Sequence, residues 1–540
     1  MEEMGLKTHL FFLFLQTKQI SIIMYRKIIF FLSFTFLTLS LISQNERVLT
    51  FCFDLPNTTC LATNTRVADV SLKLNNEKIF SKTLKVGERI EPISHSFPKS
   101  SLITLSAMVY RGFDFEQEKN SNSLKTFENM VVENLPDTIR ISFVVDKENQ
   151  YQYLYYSLDE NTNKPYRIPA LAQTLDGTLL AVSDHRPCWA DIGFGEVDIK
   201  LRSSKDYLNW SEAMFIADGI GGEKNIFECG FGDAAIVADR ESDEVLIMCV
   251  AGRQAFPSAD AKNHNFMARI RSLDGGKTWN KPEDVTSMFM NVQGEYKPIL
   301  PEIYSMFFAS GKIIQSKIFK AKNSKYYRLY ASLLTNSASG HDNYVVYSDD
   351  FGASWHLLGG VCVKGGDEAK VEELSDGSIL ISSRKPNGRF FNVFTFSNIA
   401  KAKGRWAEQV VSSEVKNGIK VGANSCNGEL LLVRCIDKSN GKQCEVLLQS
   451  LPTKDNRSHV TIFFKKLKEN EKYTPTTLAQ DWQKGLEVSD RLSAYSTMIL
   501  QKDGKIGFLY EEGPNDYCIV YSSFTIEQIT NGLFGSLGEN

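Results

Sequence analysis

Arginine, tyrosine and acidic residues recur in several short motifs of the 540-residue chain, among them the segments around Arg167, Arg384 and Tyr495. A guanidinium group is planar and permanently charged, so it orients a bound carboxylate better than a lysine ammonium group does. A tyrosine hydroxyl, with an ordinary pKa of about 10, becomes reactive at neutral pH when a base takes its proton. A carboxylic acid can supply a proton and later remove one. Arginine, tyrosine and acidic residues therefore offer anion binding, a nucleophile and proton transfer, if the fold brings them together.

The sequence lacks the motifs of several other chemistries. Its ten cysteines form no CxxC pair and its seven histidines show no metal-binding spacing, so we expect no cofactor and no metal. It has no Ser/His/Asp elbow, no HExxH motif and no dinucleotide loop. Cys52 and Cys60 are close enough in sequence for a small disulfide loop, and two free thiols are the alternative. With 61 basic and 64 acidic residues, the chain lacks the basic excess of a nucleic-acid binder.

Short strands and glycine turns must position the candidate residues. Apolar and polar residues alternate in segments such as 101–109 and 138–145, with the period of a half-buried strand. Further along the chain, Asp-Gly pairs predict hairpin turns between similar strands. These pairs begin at positions 176, 274, 376 and 503. The pattern predicts an all-β protein built as a sandwich, a barrel or a propeller.

An internal repeat separates these three architectures. Residues 272–279 and 348–355 share the form S-x-D-x-G-x-[ST]-W, and residues 204–210 are a degenerate copy. The aspartate can accept backbone hydrogen bonds, the glycine permits a positive φ and the tryptophan can pack on the sheet. We therefore interpret the repeat as a structural turn. Repeats of this size predict a β-propeller, and we expect six blades.

The repeated turns resemble the Asp-boxes (BNR repeats) of sialidases, also called neuraminidases. Residues 166–171 (YRIPAL) then resemble the RIP motif of the same family. The resemblance covers residues 153–535 and implies a six-bladed β-propeller. It also implies an exo-α-sialidase that hydrolyses terminal sialic acids from glycans and retains the anomeric configuration with a tyrosine nucleophile.

The resemblance assigns three arginines to the substrate carboxylate. Arg167 matches the arginine of the RIP motif. Arg384 ends residues 367–384, which resemble the acidic strand, turn and second strand of the family. Arg457 matches the third arginine, within residues 448–457. A surface ion pair is the alternative role for each of them.

The nucleophile implied by the resemblance is Tyr495, within residues 493–496 (SAYS). A neutral nucleophile avoids the repulsion that a carboxylate would meet at a carbon already bearing a carboxylate. Glu368 is the matching base for this tyrosine. Glu372 and Glu373 are rivals for that role.

The general acid implied by the resemblance is Asp191, which follows the RIP arginine by 24 residues. It would protonate the leaving oxygen and later activate water. Asp184 and Asp198 are its competitors. Arg186 matches a further arginine of the family's pocket and is expected to contact the sugar.

Two more acidic residues complete the predicted site. Glu511 resembles the acid that holds the first arginine, Arg167, in place. Asp233 is a candidate for binding a sugar hydroxyl, with capping of a turn as the alternative.

The N-terminal part of the chain predicts export and a separate domain. Arg26 and Lys27 precede an apolar run, so residues 24–43 are interpreted as a signal peptide and residues 1–23 as an over-extended start. We expect an exported protein, located in the periplasm, at the cell surface or in the medium, without a membrane-spanning segment when mature. Residues 46–148 are interpreted as a small β-sandwich-like domain that binds carbohydrate or acts as a spacer.

The expected partners are sialylated glycans on glycoproteins, gangliosides and oligosaccharides, with no nucleic acid, and the protein is expected to be a monomer. Two alternatives to the hydrolase remain open from the sequence. A trans-sialidase would pass the sugar to an acceptor with the same residues. A propeller that only binds glycans would keep the turns and the fold.

Overall fold

The computed structural model describes residues 45–55, 66–86, 88–110, 113–115, 127–145, 151–155, 157, 165–294, 296–469, 471–513 and 517–537. They fall into two compact units, of which the first holds residues 45–55 and 66–145 and the second holds residues 151–537. β-Strands dominate both units, which confirms the all-β prediction. The predicted signal peptide, the segment before it and Cys60 lie outside the described residues. Among the described residues, no helix is long and apolar enough to cross a membrane.

The described residues of the first unit form two four-stranded sheets. The strands of one sheet are β1 (Glu46–Asp54), β4 (Ile93–Pro98), β6 (Phe113–Phe115) and β8 (Thr138–Val145). Their order is β4-β1-β8-β6, and β1 runs parallel to β8. The strands of the other sheet are β2 (Arg66–Leu74), β3 (Glu77–Lys85), β5 (Leu102–Val109) and β7 (Phe127–Val131), in the order β3-β2-β5-β7. A short 3₁₀ turn, Val132–Asn134, follows β7.

The two sheets of the first unit are joined by an apolar layer. Along β1, Leu49, Phe51 and Phe53 are buried while the residues between them are partly exposed, as the alternation of a half-buried strand requires. The Phe53 ring lies 6.3 Å from the ring of Phe80 on β3, in the other sheet. The alternation along β1 therefore directs its apolar side chains toward the second sheet.

The second unit begins with two sheets in which consecutive strands pair antiparallel, except that the short strand Gly311–Lys312 pairs in parallel with Phe231–Ala238 in the second sheet. The first has the order β10 (Tyr166–Gln173), β11 (Leu179–His185), β12 (Asp198–Ser204), β13 (Met214–Ala217). The next has the order β17 (Glu283–Asp284), β16 (Phe266–Ser272), β15 (Val245–Ala251), β14 (Phe231–Ala238), β19 (Gly311–Lys312). Short 3₁₀ turns flank these strands at Phe227–Cys229, Phe256–Ser258 and Thr286–Met288.

Two further sheets follow the same plan. One is built around β18 (Ile303–Phe308), β21 (Tyr327–Ser337), β22 (Gly340–Ser348) and β23 (His356–Leu357), with β20 (Ile314–Lys320) paired to β21 and β24 (Val363–Lys364) paired to β22. The other runs β25 (Ala369–Glu373), β26 (Ile379–Lys385), β27 (Gly388–Asn398), β28 (Lys403–Trp406), with β29 (Val410–Val411) paired to β27. A 3₁₀ turn, Ser412–Glu414, follows β29.

The last sheet of the second unit is continuous because one long strand belongs to two sets of strands. Its order is β36 (Phe534–Ser536), β30 (Glu429–Asp437), β31 (Lys442–Pro452), β32 (Ser458–Lys466), β33 (Gln483–Leu500), β34 (Ile506–Glu512), β35 (Cys518–Phe524), β9 (Gln152–Tyr155). The first part of β33 pairs with β32 and its second part pairs with β34. Strand β9 comes from the start of the unit and pairs with β35, which lies near the end of the unit in the chain.

The repeated Ser-x-Asp turns connect the third and fourth strands of their sheets. In the first full copy the Asp274 carboxylate accepts hydrogen bonds from the backbone of Lys277 and Thr278 and from the Thr278 hydroxyl, at 2.6–3.1 Å. These bonds lower the pKa of Asp274 to about 2. Gly276 has a φ of 86°, which a residue with a side chain rarely adopts. The polar groups of the repeat therefore stabilise its own turn.

In the described part of the second unit, two short helices interrupt the strands, and both start with a capping box. Helix α1 (Pro475–Ala479) is capped by Thr474, and helix α2 (Ile526–Ile529) is capped by Thr525. Both bury apolar residues, including Leu478 on the first helix. Buried aliphatic and aromatic side chains of neighbouring sheets form the rest of the core, so the polar candidate residues lie on a rigid scaffold.

Candidate active site

Three of the candidate residues lie at irregularities in strand pairing. The register shifts between Arg167 and Ala170 on β10, between Gly232 and Ala235 on β14, and between Ser493 and Ser496 on β33. The first shift is expected because Pro169 has no N–H group to donate to a neighbouring strand. Such bulges redirect side chains and are common next to active sites. Here they place Arg167, Asp233 and Tyr495 on irregular backbone.

Glu511 connects the bulge that carries Arg167 to the bulge that carries Tyr495. Its carboxylate accepts hydrogen bonds from Arg167 Nε at 2.8 Å and from Arg167 Nη2 at 3.2 Å, which is a bidentate ion pair. The same carboxylate accepts the backbone N–H groups of Ile168 at 2.7 Å and Tyr495 at 3.0 Å. Glu511 is fully buried, and this one side chain fixes both the Arg167 guanidinium and the backbone that carries Tyr495.

Tyr495 lies between a carboxylate and a guanidinium group. Its hydroxyl donates a hydrogen bond to Glu368 Oε1 at 2.8 Å, and Arg384 Nη1 lies 3.4 Å from the same hydroxyl oxygen. Arg384 Nη1 also donates to Glu368 Oε2 at 3.0 Å, and the Arg384 backbone N–H donates to the Glu368 carbonyl at 2.8 Å. The three side chains, from β33, β26 and the residue before β25, form a closed triangle of contacts.

Burial changes the acid–base properties of this triangle. Burial raises the pKa of Glu368, although Arg384 opposes the shift. Burial and the negative charge of Glu368 together raise the pKa of Tyr495 well above its ordinary value. The phenol is therefore neutral at neutral pH, and its hydrogen-bonded neighbour Glu368 is a stronger base than an exposed glutamate.

The rival bases on β25 have other partners. Glu372 lies 3.3 Å from Lys312 Nζ in an ion pair. Glu373 accepts hydrogen bonds from the Ser316 hydroxyl and the Lys317 backbone N–H, both at 2.6 Å. Neither rival has a contact with Tyr495 among the described residues, so the geometry favours Glu368.

Arg457 reaches the same region from the loop between β31 and β32. Its backbone is left-handed, with a φ of 55°, and its carbonyl accepts the backbone N–H of Ser493 at 2.6 Å. Its guanidinium group donates to Asn424 Oδ1 at 3.1 Å and forms no ion pair with a described residue. Burial raises the pKa of Cys426 to about 12, while Arg457 and Arg384 lower it, so the two arginines flank this thiol.

Arg186 forms ion pairs with two aspartates, Asp184 and Asp191. Its Nη2 lies 3.0 Å from Asp184 Oδ2 and 2.8 Å from Asp191 Oδ1. The Arg186 and Asp184 side chains are buried, whereas the Asp191 side chain is 62% exposed. Asp191 lies on the loop after β11, where it is accessible to a substrate. Asp184 is not accessible in this way, and burial raises its pKa.

The two remaining acidic candidates, Asp198 and Asp233, differ in their contacts. Asp198 accepts a hydrogen bond from the Gly219 backbone N–H at 3.0 Å and lies 2.8 Å from His185 Nδ1, so it is engaged within the scaffold. Asp233 has a left-handed φ of 54°, and its backbone N–H donates to Asp184 Oδ1 at 3.0 Å. The Asp233 carboxyl caps no turn among the described residues, which disfavours the turn-capping alternative.

Electrostatic influences connect the residues around Tyr495 with those around Arg186. Burial lowers the pKa of Arg167, but Glu511, Tyr495 and Asp191 together raise it above its ordinary value. Burial and the charges of Asp191, Asp184 and Glu368 raise the pKa of Asp233. The structure thus brings all nine predicted residues into one region. They are Arg167, Arg186, Asp191, Asp233, Glu368, Arg384, Arg457, Tyr495 and Glu511.

Sequence reasoning missed three residues of this region. The Tyr517 ring lies under Arg167, with the guanidinium carbon 4.8 Å from the ring centre. Asp367 Oδ2 lies 3.4 Å from Arg384 Nε. Its position next to Glu368 in the sequence could have indicated that it belongs to this region. Lys370, two residues after Glu368, is buried. Nothing in the local sequence marks Tyr517, because its contact depends on the pairing of distant strands.

Comparisons with curated proteins find sialidases. No protein-family model matches the chain. The chain is 27% identical over 373 residues to a sialidase of Micromonospora viridifaciens, covering 67% of this chain and 51% of that protein. It is 24% identical over 321 residues to a sialidase of Bacteroides fragilis strain YCH46, covering 56% and 53%. The chain therefore spans about half the length of these two relatives.

Solved structures share the fold at low sequence identity. A Hadza microbial sialidase, Hz136, matches with a TM-score of 0.56 and 16% identity, covering 90% of this chain and 95% of that one. A leech intramolecular trans-sialidase matches with a TM-score of 0.55 and 14% identity, covering 91% and 95%. The fold of this chain is thus the all-β fold of these structures.

The curated matches, together with this fold, support a relationship with the bacterial sialidases, which are glycoside hydrolases. They agree with the family that the RIP motif and the repeated turns indicated.

Proposed function

We propose that this protein is an exo-α-sialidase that removes terminal sialic acids from glycoproteins, gangliosides and oligosaccharides with retention of configuration. The observation that carries the proposal is the 2.8 Å hydrogen bond from the Tyr495 hydroxyl to Glu368, with Arg384 beside the same oxygen. A buried phenol with its own base is a neutral nucleophile, which is what a carbon bearing a carboxylate requires.

Arg167, Arg384 and Arg457 would bind the substrate carboxylate. Arg167 and Arg384 are already fixed by Glu511 and Glu368, so little side-chain entropy is lost when the ligand binds. Arg457 forms no ion pair with a described residue and is open to an anion. Three charged donors of this kind orient the sugar with its anomeric carbon toward Tyr495.

In the first step the Tyr495 oxygen bonds to the anomeric carbon as the bond from that carbon to the glycosidic oxygen breaks. Glu368 takes the phenol proton, and Asp191 gives its proton to the leaving oxygen. Arg186 positions Asp191. Burial and neighbouring negative charges raise the pKa of the Asp233 carboxyl, which is proposed to form a hydrogen bond with a sugar hydroxyl.

In the second step water replaces the tyrosine. Asp191 takes a proton from water, whose oxygen bonds to the anomeric carbon as the bond to the Tyr495 oxygen breaks. Glu368 then returns its proton to the phenol. Two displacements at the same carbon retain the configuration, and both carboxyl groups end in their starting states.

We also propose that the second unit is a six-bladed β-propeller. Support comes from its strand order, in which antiparallel sets of about four strands follow one another and β33 contributes to two of them. The pairing of β9 with β35 would close the ring, which removes exposed sheet edges.

Export and the role of the first unit are part of the proposal as well. The apolar run of residues 24–43 after Arg26 and Lys27 supports a signal peptide. The two sheets of the first unit support a carbohydrate-binding or spacer module. Deleting residues 46–148 should weaken mucin binding without changing turnover of a small sialoside, and unchanged mucin affinity would remove the binding role.

The decisive experiment is trapping with a fluorinated sialic acid followed by peptide mapping. The proposal expects release of 4-methylumbelliferone from its sialoside and a covalent sugar on the peptide that contains Tyr495. A glycan-binding protein would give neither product. Analysis of products from sialyllactose in the presence of lactose separates a hydrolase, which yields free sialic acid, from a trans-sialidase, which yields transferred or anhydro sugar.

A further inference from the structure

Two cysteines face each other near the turn that joins β30 to β31. The register of this antiparallel hairpin makes Cys435 the direct partner of Cys444. Their Sγ atoms are 3.6 Å apart, and both residues are thiols in this structure. The pairing continues without a register shift along both strands of the hairpin. The contact between the thiols therefore follows from regular strand pairing.

Neighbouring contacts hold the two cysteines in this register. The adjacent cross-strand pair is an ion pair, with Arg434 Nε 3.3 Å from Glu445 Oε1. On the other edge of β30, Cys435 is the partner of Ser536 on β36. Successive side chains of a strand point to opposite faces, so a slip by one residue would separate the thiols. The two thiols are thus kept on one face of the sheet.

The backbone geometry of this position suits a covalent bond between the two sulfurs. Directly opposed residues of an antiparallel pair have Cα atoms about 4.5–5.5 Å apart, within the range of about 4.4–6.8 Å that disulfides span. A disulfide brings its sulfurs to about 2.0 Å, which is closer than these thiols are. Rotation about the two Cα–Cβ bonds moves each sulfur while the backbone stays in place.

We propose that Cys435 and Cys444 form a disulfide bond that fixes the hairpin of β30 and β31. The export proposed above would deliver the chain to an oxidising compartment, where disulfides form and persist. The bond would close a short loop over residues 436–443 and restrict the unfolded chain. The proposal does not depend on the reaction assigned to Tyr495.

The two thiols would react in a fixed order because their surroundings differ. Cys444 is partly exposed, whereas Cys435 is fully buried and burial raises its pKa. Cys444 therefore meets a disulfide oxidant such as glutathione disulfide first. Its thiolate bonds to one sulfur of the oxidant, whose S–S bond breaks and releases one thiol.

In the second step Cys435 loses its proton and its sulfur bonds to the Cys444 sulfur of the mixed disulfide. The bond from Cys444 to the oxidant breaks, and the second half of the oxidant leaves as a thiol. The protein has then lost two hydrogen atoms, and the oxidant has been reduced to two thiols.

The experiment is peptide mapping of the full chain after reduction and incubation with glutathione disulfide. The thiols that remain are alkylated in denaturant before digestion. Trypsin cleaves after Arg434, Lys438 and Lys442, so the bond would join peptide 435–438 to peptide 443–454. We expect this linked pair, with a mass two hydrogens below the sum of the two peptides.

The internal control is Cys362, whose Sγ lies 3.1 Å from the Asn343 carbonyl oxygen and which should be recovered alkylated. Recovery of Cys435 and Cys444 as separate alkylated peptides would overturn the proposal. A stable glutathione adduct on Cys444, or a bond from either residue to another cysteine, would overturn it as well.

Thermal unfolding tests whether the bond fixes the hairpin. Reduction should lower the Tm of the oxidised protein by roughly 3–6 °C, because the unfolded chain gains freedom. The double variant Cys435→Ala/Cys444→Ala should show no dependence on reduction, and Cys444→Ala alone serves if the double variant does not fold. An equal loss in variant and wild type would overturn the stabilising role.

Activity separates this proposal from the proposed function. Arg457 follows the end of β31 that lies away from the turn, so oxidation should leave kcat/KM unchanged within about twofold. A larger change would overturn the placement of the bond away from the site. A protein with the linked peptides that releases no sialic acid would overturn the proposed function and leave the disulfide established.

Discussion

Glu511 holds the Arg167 guanidinium with both of its carboxylate oxygens, at 2.8 and 3.2 Å, from a fully buried position 344 residues away in the chain. The same carboxylate accepts the backbone N–H of Tyr495 at 3.0 Å. One side chain therefore sets the distance between a proposed carboxylate-binding group and the proposed nucleophile. Because the carboxylate is desolvated, its loss cannot be compensated by water.

Replacing Glu511 by glutamine should weaken both stability and ligand binding. The change leaves Arg167 without its buried counterion, which costs about 3 kcal/mol in free energy of unfolding. Denaturant unfolding measures this loss. The matched control is Asp54→Asn, which breaks the contacts of Arg140 with both carboxylate oxygens of Asp54, at 2.7 and 2.8 Å, between two exposed side chains. That control should cost no more than about 1 kcal/mol, and equal losses in the two variants would contradict the role given to Glu511.

Replacing Tyr495 by phenylalanine should lower kcat by at least about 100-fold, because the nucleophilic oxygen is lost together with its contact to Glu368. Steady-state kinetics with a 4-methylumbelliferyl sialoside measures the loss, and circular dichroism should show an unchanged fold. Tyr344→Phe, which alters a half-buried tyrosine on β22, is the control and should keep full activity. Turnover close to wild type in Tyr495→Phe would place the nucleophile elsewhere.

Replacing Asp191 by asparagine should lower kcat/KM most for substrates that have a poor leaving group. A sugar leaving group needs the proton from the general acid, whereas 4-methylumbelliferone leaves without much help. We expect kcat/KM for sialyllactose to fall by about 100-fold or more, with a much smaller loss for the methylumbelliferyl sialoside. Comparison of the two substrates is the measurement, and equal losses would exclude Asp191 as the acid.

Replacing Arg457 by alanine should weaken binding of ligands that carry a free carboxylate. A charged hydrogen bond contributes about 1.5–3 kcal/mol, so the dissociation constant of an unsaturated sialic acid analogue should rise by roughly 10- to 100-fold. The methyl ester of the same analogue should bind both proteins equally. Arg405→Ala, at an exposed position on β28, is the control. An equal loss for acid and ester would remove Arg457 from the carboxylate site.

The pH dependence of activity should reflect the buried state of Glu368. Burial raises the pKa of this carboxyl, and a base must be ionised to accept a proton. As the pH falls through the raised pKa, Glu368 becomes protonated and activity is lost, so the acidic limb of kcat/KM should lie above the ordinary glutamate value of about 4.3. A limb at or below that value would show that another group is the base.

Local sequence patterns were sufficient for the class of fold and for the candidate residues. Alternating strands and Asp-Gly turns predicted an all-β protein, and this is confirmed. Motif resemblance selected Arg167, Glu368 and Tyr495, which the structure brings together, although their catalytic roles stay predictions. These features are readable from the sequence because each depends on residues within one hairpin or one short segment.

Only the tertiary structure decided which side chains meet. It separated Glu368 from its rival Glu372, exposed Asp191 while burying Asp184, and placed Lys370 beside Glu429. These relationships join residues from different strands. They depend on the packing of neighbouring sheets and on the bulges that turn individual side chains. The spacing of residues along one chain does not determine how distant strands meet, so it could not reveal them.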